Sequence, residues 1–129
     1  MTHRSFILAA LGFLLFLTAV IPLHAETKAL TEKAKIEALI AHVEALKDAS
    51  FVRNGSAANS VTAGKFLRGK WQANDKDIKT AGDFIAKAAS VSSTTGKPYV
   101  IRLKDGTATP CGEYLTAQLR KLDAAPKDK

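Results

Sequence analysis

Apolar residues fall three, four, seven and ten positions after Ile36, at Leu39, Ile40, Val43 and Leu46. That spacing predicts a helix from Thr31-Glu32 to about Ala49 with one stripe facing a core. Glu32, Lys33, Lys35, Glu37, Glu44 and Lys47 take its wet side. The period breaks at Ser50-Phe51-Val52-Arg53-Asn54-Gly55, where Phe51 and Val52 suit a short strand and Asn-Gly a turn, because both residues tolerate positive φ. No strand-like pattern follows, so this segment is expected to run into a loop and not into a hairpin. Asn59 or Ser60 can then cap a second helix over Ser60–Ala73, with Ala63, Phe66, Leu67 and Trp71 as its stripe. Gly64 and Gly69 each weaken that helix by about 1 kcal/mol against Ala. Lys65, Arg68 and Lys70 make it the most basic segment.

After a polar connection at Asn74–Asp77, Thr80 and Asp83 form a capping-box pattern for a third helix over Ala81–Ala89, burying Phe84, Ile85 and Ala88. A hydroxyl-rich loop, Ser90 to Tyr99, follows. Tyr99, Ile101 and Leu103 then alternate with Val100, Arg102 and Lys104, the period of a strand with one buried face. Asp105-Gly106 signals a hairpin, with a return strand over Thr107–Thr109. Thr109-Pro110 is expected to open a last helix, Thr as cap and Pro in the first position, with Tyr114, Leu115, Leu119 and Leu122 as its stripe. The expected architecture is α+β and mostly α: four helices, a small antiparallel β-hairpin, and Phe51-Val52 as a candidate third short strand. A single globular domain is expected over residues 26–122, with a frayed charged tail over residues 123–129.

The residues before that domain follow a different pattern. Thr2-His3-Arg4 precedes an apolar run from Phe6 to Ile21, and Pro22-Leu23-His24-Ala25 puts small or apolar residues where a signal peptidase reads. This is the layout of a Sec-type signal peptide over residues 1–25, cleaved after Ala25. The run is shorter than the roughly 20 residues of a membrane span. The expected destination is therefore the periplasm or the medium, with no membrane span after cleavage. Removing Arg4 with the leader changes the net charge from +7 to +6. A basic exported chain is drawn to anionic surfaces, whereas export and evenly spread charge speak against nucleic acid. The lone cysteine, Cys111, excludes an internal disulfide, so packing must hold the fold.

Few residues could carry chemistry. His42 is the only histidine beyond the leader. Cys111 would sit in the first turn of the last helix, where the dipole lowers a thiol pKa, so a Cys111–His42 dyad is formally available. The ordinary alternative is a semi-buried thiol and a surface histidine. No spacing suits zinc or an EF-hand, and no cofactor motif is present. Ser92-Ser-Thr-Thr-Gly96-Lys97 has hydroxyls and a lysine, but in the wrong order for a phosphate loop. Such hydroxyls usually cap a preceding helix and satisfy turn amides. The alternative is an anion held by hydroxyls, amides and Lys97. Arg53 is either a tie for loop carbonyls or an anion-binding fork. If the short strand at Phe51-Val52 pairs with the hairpin, Arg53, Asn54, Ser92, Ser93, Lys97 and Tyr99 form one polar, ligand-binding concavity. The expected function is thus non-enzymatic: binding an anionic small ligand, glycan or partner protein of the envelope. A small hydrolase using Cys111 or a loop serine, and an inhibitor of an envelope enzyme, are the alternatives.

Phe51-Val-Arg-Asn-Gly55, Phe66-Leu-Arg-Gly-Lys-Trp71, Asp83-Phe-Ile85, Ser92-Ser-Thr-Thr-Gly-Lys-Pro-Tyr99 and Glu113-Tyr-Leu115 together carry a family likeness. Over almost all of Ile36 to Leu122 the chain resembles the YfeK-like family of small exported bacterial proteins, a domain of unknown function. The resemblance implies a Gram-negative envelope setting. It brings no activity, cofactor or catalytic residue.

Overall fold

The computed structural model describes residues 29–124. The expected leader and all of the tail beyond Ala124 lie outside these residues. Helix α1 covers Glu32–Glu44, and its N-cap Thr31 accepts from the Ala34 amide at 3.1 Å. It buries Ile36, Leu39, Ile40 and Val43, the expected stripe. It stops short of the predicted Ala49: Ala45 is the C-cap, and Asp48 adopts a positive φ of 55°. The Leu46 carbonyl accepts from the Ser60 hydroxyl, so the chain bends here to deliver the first strand while Leu46 still packs on the core.

Strand β1, Ser50–Arg53, pairs antiparallel with β2, Ser56–Asn59. This corrects the expected loop. Arg53 faces Ser56, which leaves a two-residue connection whose members, Asn54 and Gly55, have φ of 49° and 80°. Two consecutive positive φ values are what a type I′ hairpin requires, and that turn matches the right-handed twist of its strands. The partner strand was hard to foresee because it is Ser-Ala-Ala-Asn. It sits at the sheet edge, largely exposed, and needs no apolar alternation.

Strands β3, Val100–Arg102, and β4, Ala108–Pro110, complete an antiparallel sheet of order β2-β1-β3-β4. The expected Asp105-Gly106 hairpin is present: Gly106 has φ 88° and donates to the Leu103 carbonyl at 2.9 Å, while Asp105 Oδ1 accepts from the Thr107 amide at 2.8 Å. Pro110 ends β4 and does not begin a helix, because the Val100–Pro110 pairing continues the ladder at an edge where a missing N–H is tolerated.

Helix α2, Ser60–Ala73, follows β2 directly, with Asn59 Oδ1 accepting from the Thr62 amide at 2.8 Å. Helix α3, Ala81–Phe84, opens with the anticipated capping box of Thr80 and Asp83. It widens into a π-helical turn, Ile85–Ala89, after which the Ser90 hydroxyl donates to the Ile85 carbonyl at 2.6 Å. Helix α4 spans Cys111–Ala124 and so takes in Asp123 and Ala124, the first two residues of the expected tail. The helices meet around Ile36, Leu39, Ile40, Leu67, Phe84 and Leu115, and the sheet covers this core through Phe51 and Ile101, with Tyr99 buried just before β3. Ile78, absent from the predicted core, is also buried; it is a single apolar residue among Asp75, Asp77 and Lys79, with no period to reveal it. The domain is α+β and mostly α. None of its described helices is long and apolar enough to cross a membrane.

Candidate functional site

The pairing of β1 with β3 sets Val52 opposite Val100, so the end of β1 arrives beside the residue that precedes β3. That residue is Tyr99. Its ring packs on Phe51 and Phe66 with centroids 5.3 and 5.6 Å away. Its hydroxyl accepts a hydrogen bond from Lys70 Nζ at 3.1 Å. Phe66 and Lys70 stand four residues apart on α2, hence on one helix face. The Arg53 guanidinium lies 4.2 Å above the Phe66 ring, a cation–π contact. These residues, with Asn54, Ser92, Ser93 and Thr94, line a pocket of about 360 Å³.

The loop that forms the far wall closes on itself. Ser92 donates its amide to the Lys97 carbonyl at 3.0 Å, and Gly96, with φ 69°, donates to the Ser92 carbonyl at 2.8 Å. Below this closure Val91 and Pro98 form an isolated bridge. Ser92 is the hub: it is 4% exposed, and its hydroxyl oxygen accepts from the Thr94 and Thr95 amides at 3.3 Å each and from Asn54 Nδ2 at 3.1 Å. The Thr94 hydroxyl lies 2.9 Å from it. Asn54 Oδ1 in turn accepts from the Thr95 hydroxyl at 2.6 Å. The hairpin turn of β1–β2 and the loop are therefore stapled through one asparagine side chain.

The structure brings five of the six sequence-selected residues together: Arg53, Asn54, Ser92, Ser93 and Tyr99 all line the pocket. Lys97 does not. It sits at the loop's stem, next to the Val91–Pro98 bridge, because closure from Ser92 to Lys97 turns residues 92–94 toward the cavity instead. Ser92 takes the ordinary role of a loop hydroxyl, its oxygen accepting from two turn amides and from Asn54, and not the alternative role of a hydroxyl free for an anion. Lys70 and Phe66 were missed as site residues. Phe66 reads as core from its stripe, and the signal for Lys70 was its place one turn further along that stripe, where a long cation can run over an aromatic edge.

The lining contains two cations and no carboxylate. Among the described residues neither Arg53 nor Lys70 enters an ion pair. The basic residue of α2 that does is Arg68, paired with Glu37 at 2.6 Å and with Glu44 at 3.6 Å. A larger groove of about 670 Å³ lies between the π-helical turn and α4, walled by Ile85, Ala86, Val91, Pro110 and Leu119. Its charged residues, Glu113 and Arg120, have opposite sign, so it lacks the one-signed set of donors found around Arg53.

The Cys111–His42 dyad is not assembled. His42 Nε2 is hydrogen-bonded to the Tyr114 hydroxyl at 2.7 Å, and the two rings lie 5.6 Å apart. Cys111 is fully buried, and burial pushes its thiol up to about 12, against the lowering expected from the helix dipole. Desolvation outweighs the dipole because Cys111 belongs to the buried core, its amide donating to the Tyr99 carbonyl at 2.7 Å. Among the described residues no three His, Cys, Asp or Glu side chains converge as metal ligands would.

Residues 30–123 match a family described as "Family of unknown function (DUF5329)". The chain belongs to this family. The family's match runs from just before α1 into the last turn of α4 and so contains every residue of the pocket. Among its relatives is "Uncharacterized protein YfeK" of Salmonella typhimurium (strain LT2), 47% identical over 68 residues. That match covers 53% of this chain and 57% of the relative, so it spans little more than half of either. No solved structure matches.

Proposed function

We propose that the protein binds a small anion in the bacterial envelope, through the pocket between the β1–β2 turn, α2 and the Ser92–Lys97 loop. One observation carries this reading: Arg53 and Lys70 converge on a cavity that holds no carboxylate, and neither is neutralised by a described acidic residue. Leaving two cations side by side is unfavourable unless something of opposite sign shares their field. The pocket is of the size that takes a small molecule. The envelope setting rests on the leader pattern of residues 1–25. An intact mass beginning at Glu26, from the periplasmic fraction of a Gram-negative host, supports it; a mass retaining Met1 to Ala25 overturns it.

The binding reading is tested by titrating the isotopically labelled domain with phosphate and with malonate at low salt. Saturable amide shifts at Arg53, Lys70 and Ser93 are expected. Arg53→Ala should weaken binding and make the remainder less salt-sensitive, since one charge-assisted contact is gone. Absence of saturable shifts with either anion would refute the reading. An unchanged affinity in Arg53→Ala with a large loss of stability would make Arg53 a structural tie over Phe66.

A further inference from the structure

The polar atoms around the pocket divide unevenly. Its acceptors are in use: the Ser92 hydroxyl oxygen holds two amides and Asn54, the Thr94 hydroxyl is paired with it, and Asn54 Oδ1 accepts from Thr95. Its donors are open. The Arg53 guanidinium has five N–H groups and, among the described residues, only a ring beneath it. Lys70 spends one N–H on Tyr99. Tyr99 is 2% exposed, yet its hydroxyl serves only as the acceptor of that bond, and its own proton meets no acceptor among the described residues. The hydroxyl has the one partner a buried polar atom ordinarily finds, in Lys70, and keeps its proton to donate into the pocket. The Ser93 hydroxyl, on the facing wall, has no hydrogen-bond partner among the described residues.

From this geometry we infer that the pocket takes a phosphate monoester, the phosphate seated between Arg53, Lys70 and the Tyr99 hydroxyl. This rests on the anion-binding reading above and narrows it. A planar carboxylate is satisfied by the arginine fork alone. Here the donors come from three separate elements: the end of β1, the last turn of α2 and the residue before β3. Oxygens disposed in three dimensions and bearing a double charge match such a set, and two cations match a dianion. The cavity of about 360 Å³ is larger than a bare phosphate needs, which leaves space for the esterified body. A soluble sugar or glycerol phosphate and a phosphomonoester lipid headgroup present the same chemistry.

The test compares glycerol 3-phosphate with malonate, of similar charge but carboxylate geometry, by calorimetry at pH 7.5 on the folded domain. Glycerol 3-phosphate should bind at least about tenfold more tightly, as expected for one further charge-assisted hydrogen bond. Tyr99→Phe keeps the packed ring and removes only the hydroxyl. It should lose most of that advantage, about tenfold, while malonate binding stays unchanged. Lys70→Met, at a half-buried position, should weaken glycerol 3-phosphate in the same direction. Co-sedimentation with phosphatidylcholine vesicles carrying phosphatidic acid, against vesicles carrying phosphatidylserine, separates the sources: selective sedimentation with phosphatidic acid identifies a headgroup, and binding of glycerol 3-phosphate alone a soluble ester. Equal affinity for malonate and glycerol 3-phosphate, or indifference to Tyr99→Phe, would overturn the phosphate inference and leave anion binding standing. If neither anion binds and neither vesicle sediments the protein, both readings fall.

Discussion

Asn54 ties the β1–β2 turn to the Ser92–Lys97 loop, so its replacement gives a graded prediction. The residue does two jobs. Its backbone holds φ 49° in the β1–β2 turn, and its side chain donates to Ser92 and accepts from Thr95. Asn54→Gly keeps the turn and removes both side-chain bonds. The Ser92 bond is part-buried and contributes about 1 kcal/mol; the Thr95 bond is exposed and contributes about 0.5 kcal/mol, giving a loss near 1.5 kcal/mol. Asn54→Ala removes the same bonds and also places an ordinary Cβ in the left-handed region, which adds about 1 kcal/mol. The expected order is wild type, then Gly, then Ala, with Ala lower by about 2.5 kcal/mol in all. In a domain of this size each kcal/mol lowers the melting temperature by about 4–8 °C. Urea denaturation with a shared m-value reads the differences. Amide exchange should locate the loss: the Gly96 and Ser92 amides, which close the loop, exchange faster in both variants, while the α1 core amides change only by the global loss of stability. If Ala and Gly are equally stable, the turn strain is misassigned. If Gly costs less than about 0.3 kcal/mol and the loop amides keep their protection, the asparagine staple is not holding the loop.

Three further outcomes follow from buried groups. Phe84 is fully buried against Trp71 at 6.4 Å, so Phe84→Ala should cost about 3–5 kcal/mol and Leu39→Ala, at 1% exposure, about 2–5 kcal/mol; thermal and urea unfolding check this, and losses below about 1 kcal/mol for both would mean the core is wrongly assigned. Cys111, with its thiol raised to about 12 by burial, should resist a thiol-labelling reagent at pH 8 in the native state and react promptly in urea; rapid native labelling would contradict the burial. Burial, and secondarily Lys121, holds His42 below its ordinary 6.5, so the unfolded chain takes up this proton first on acidification. Stability should therefore be full above about pH 7 and decline as pH falls from about 6.5 toward the folded-state value. His42→Gln should flatten that slope, and an unchanged slope in the variant would place its origin elsewhere.

Much of this molecule was legible from short-range order. The stripe of Ile36, Leu39, Ile40 and Val43, the capping pair Thr80–Asp83 and the alternation around Ile101 each encode an element whose partner is mostly the protein's own interior. Burial selects residue type at a fixed period, so the pattern survives in the sequence. The Asn54-Gly55 signal was equally present, but its second strand was invisible because Ser56–Asn59 lies at an exposed edge and is held by backbone hydrogen bonds that any small residue can make. The ends of α1 and β4 were misplaced for a related reason: where a helix stops at Glu44, and whether Pro110 caps a helix or closes a ladder, depends on what lies across from it.

The site divides in the same way. Its hydroxyl loop and its arginine stood out as breaks in an otherwise packed chain, and their nearness followed from pairing β1 with the later hairpin. Which of these groups face the cavity did not follow. Ser92 is spent inside its own loop, Lys97 is carried off to the stem, and Lys70 enters from a helix that the sequence presents as simply basic. The thiol of Cys111 makes the point most directly. Its position at a helix start is local and argued for a low pKa, but the layer of chain packed over it decides the result, because desolvation depends on everything around a group and a sequence specifies only what is next to it.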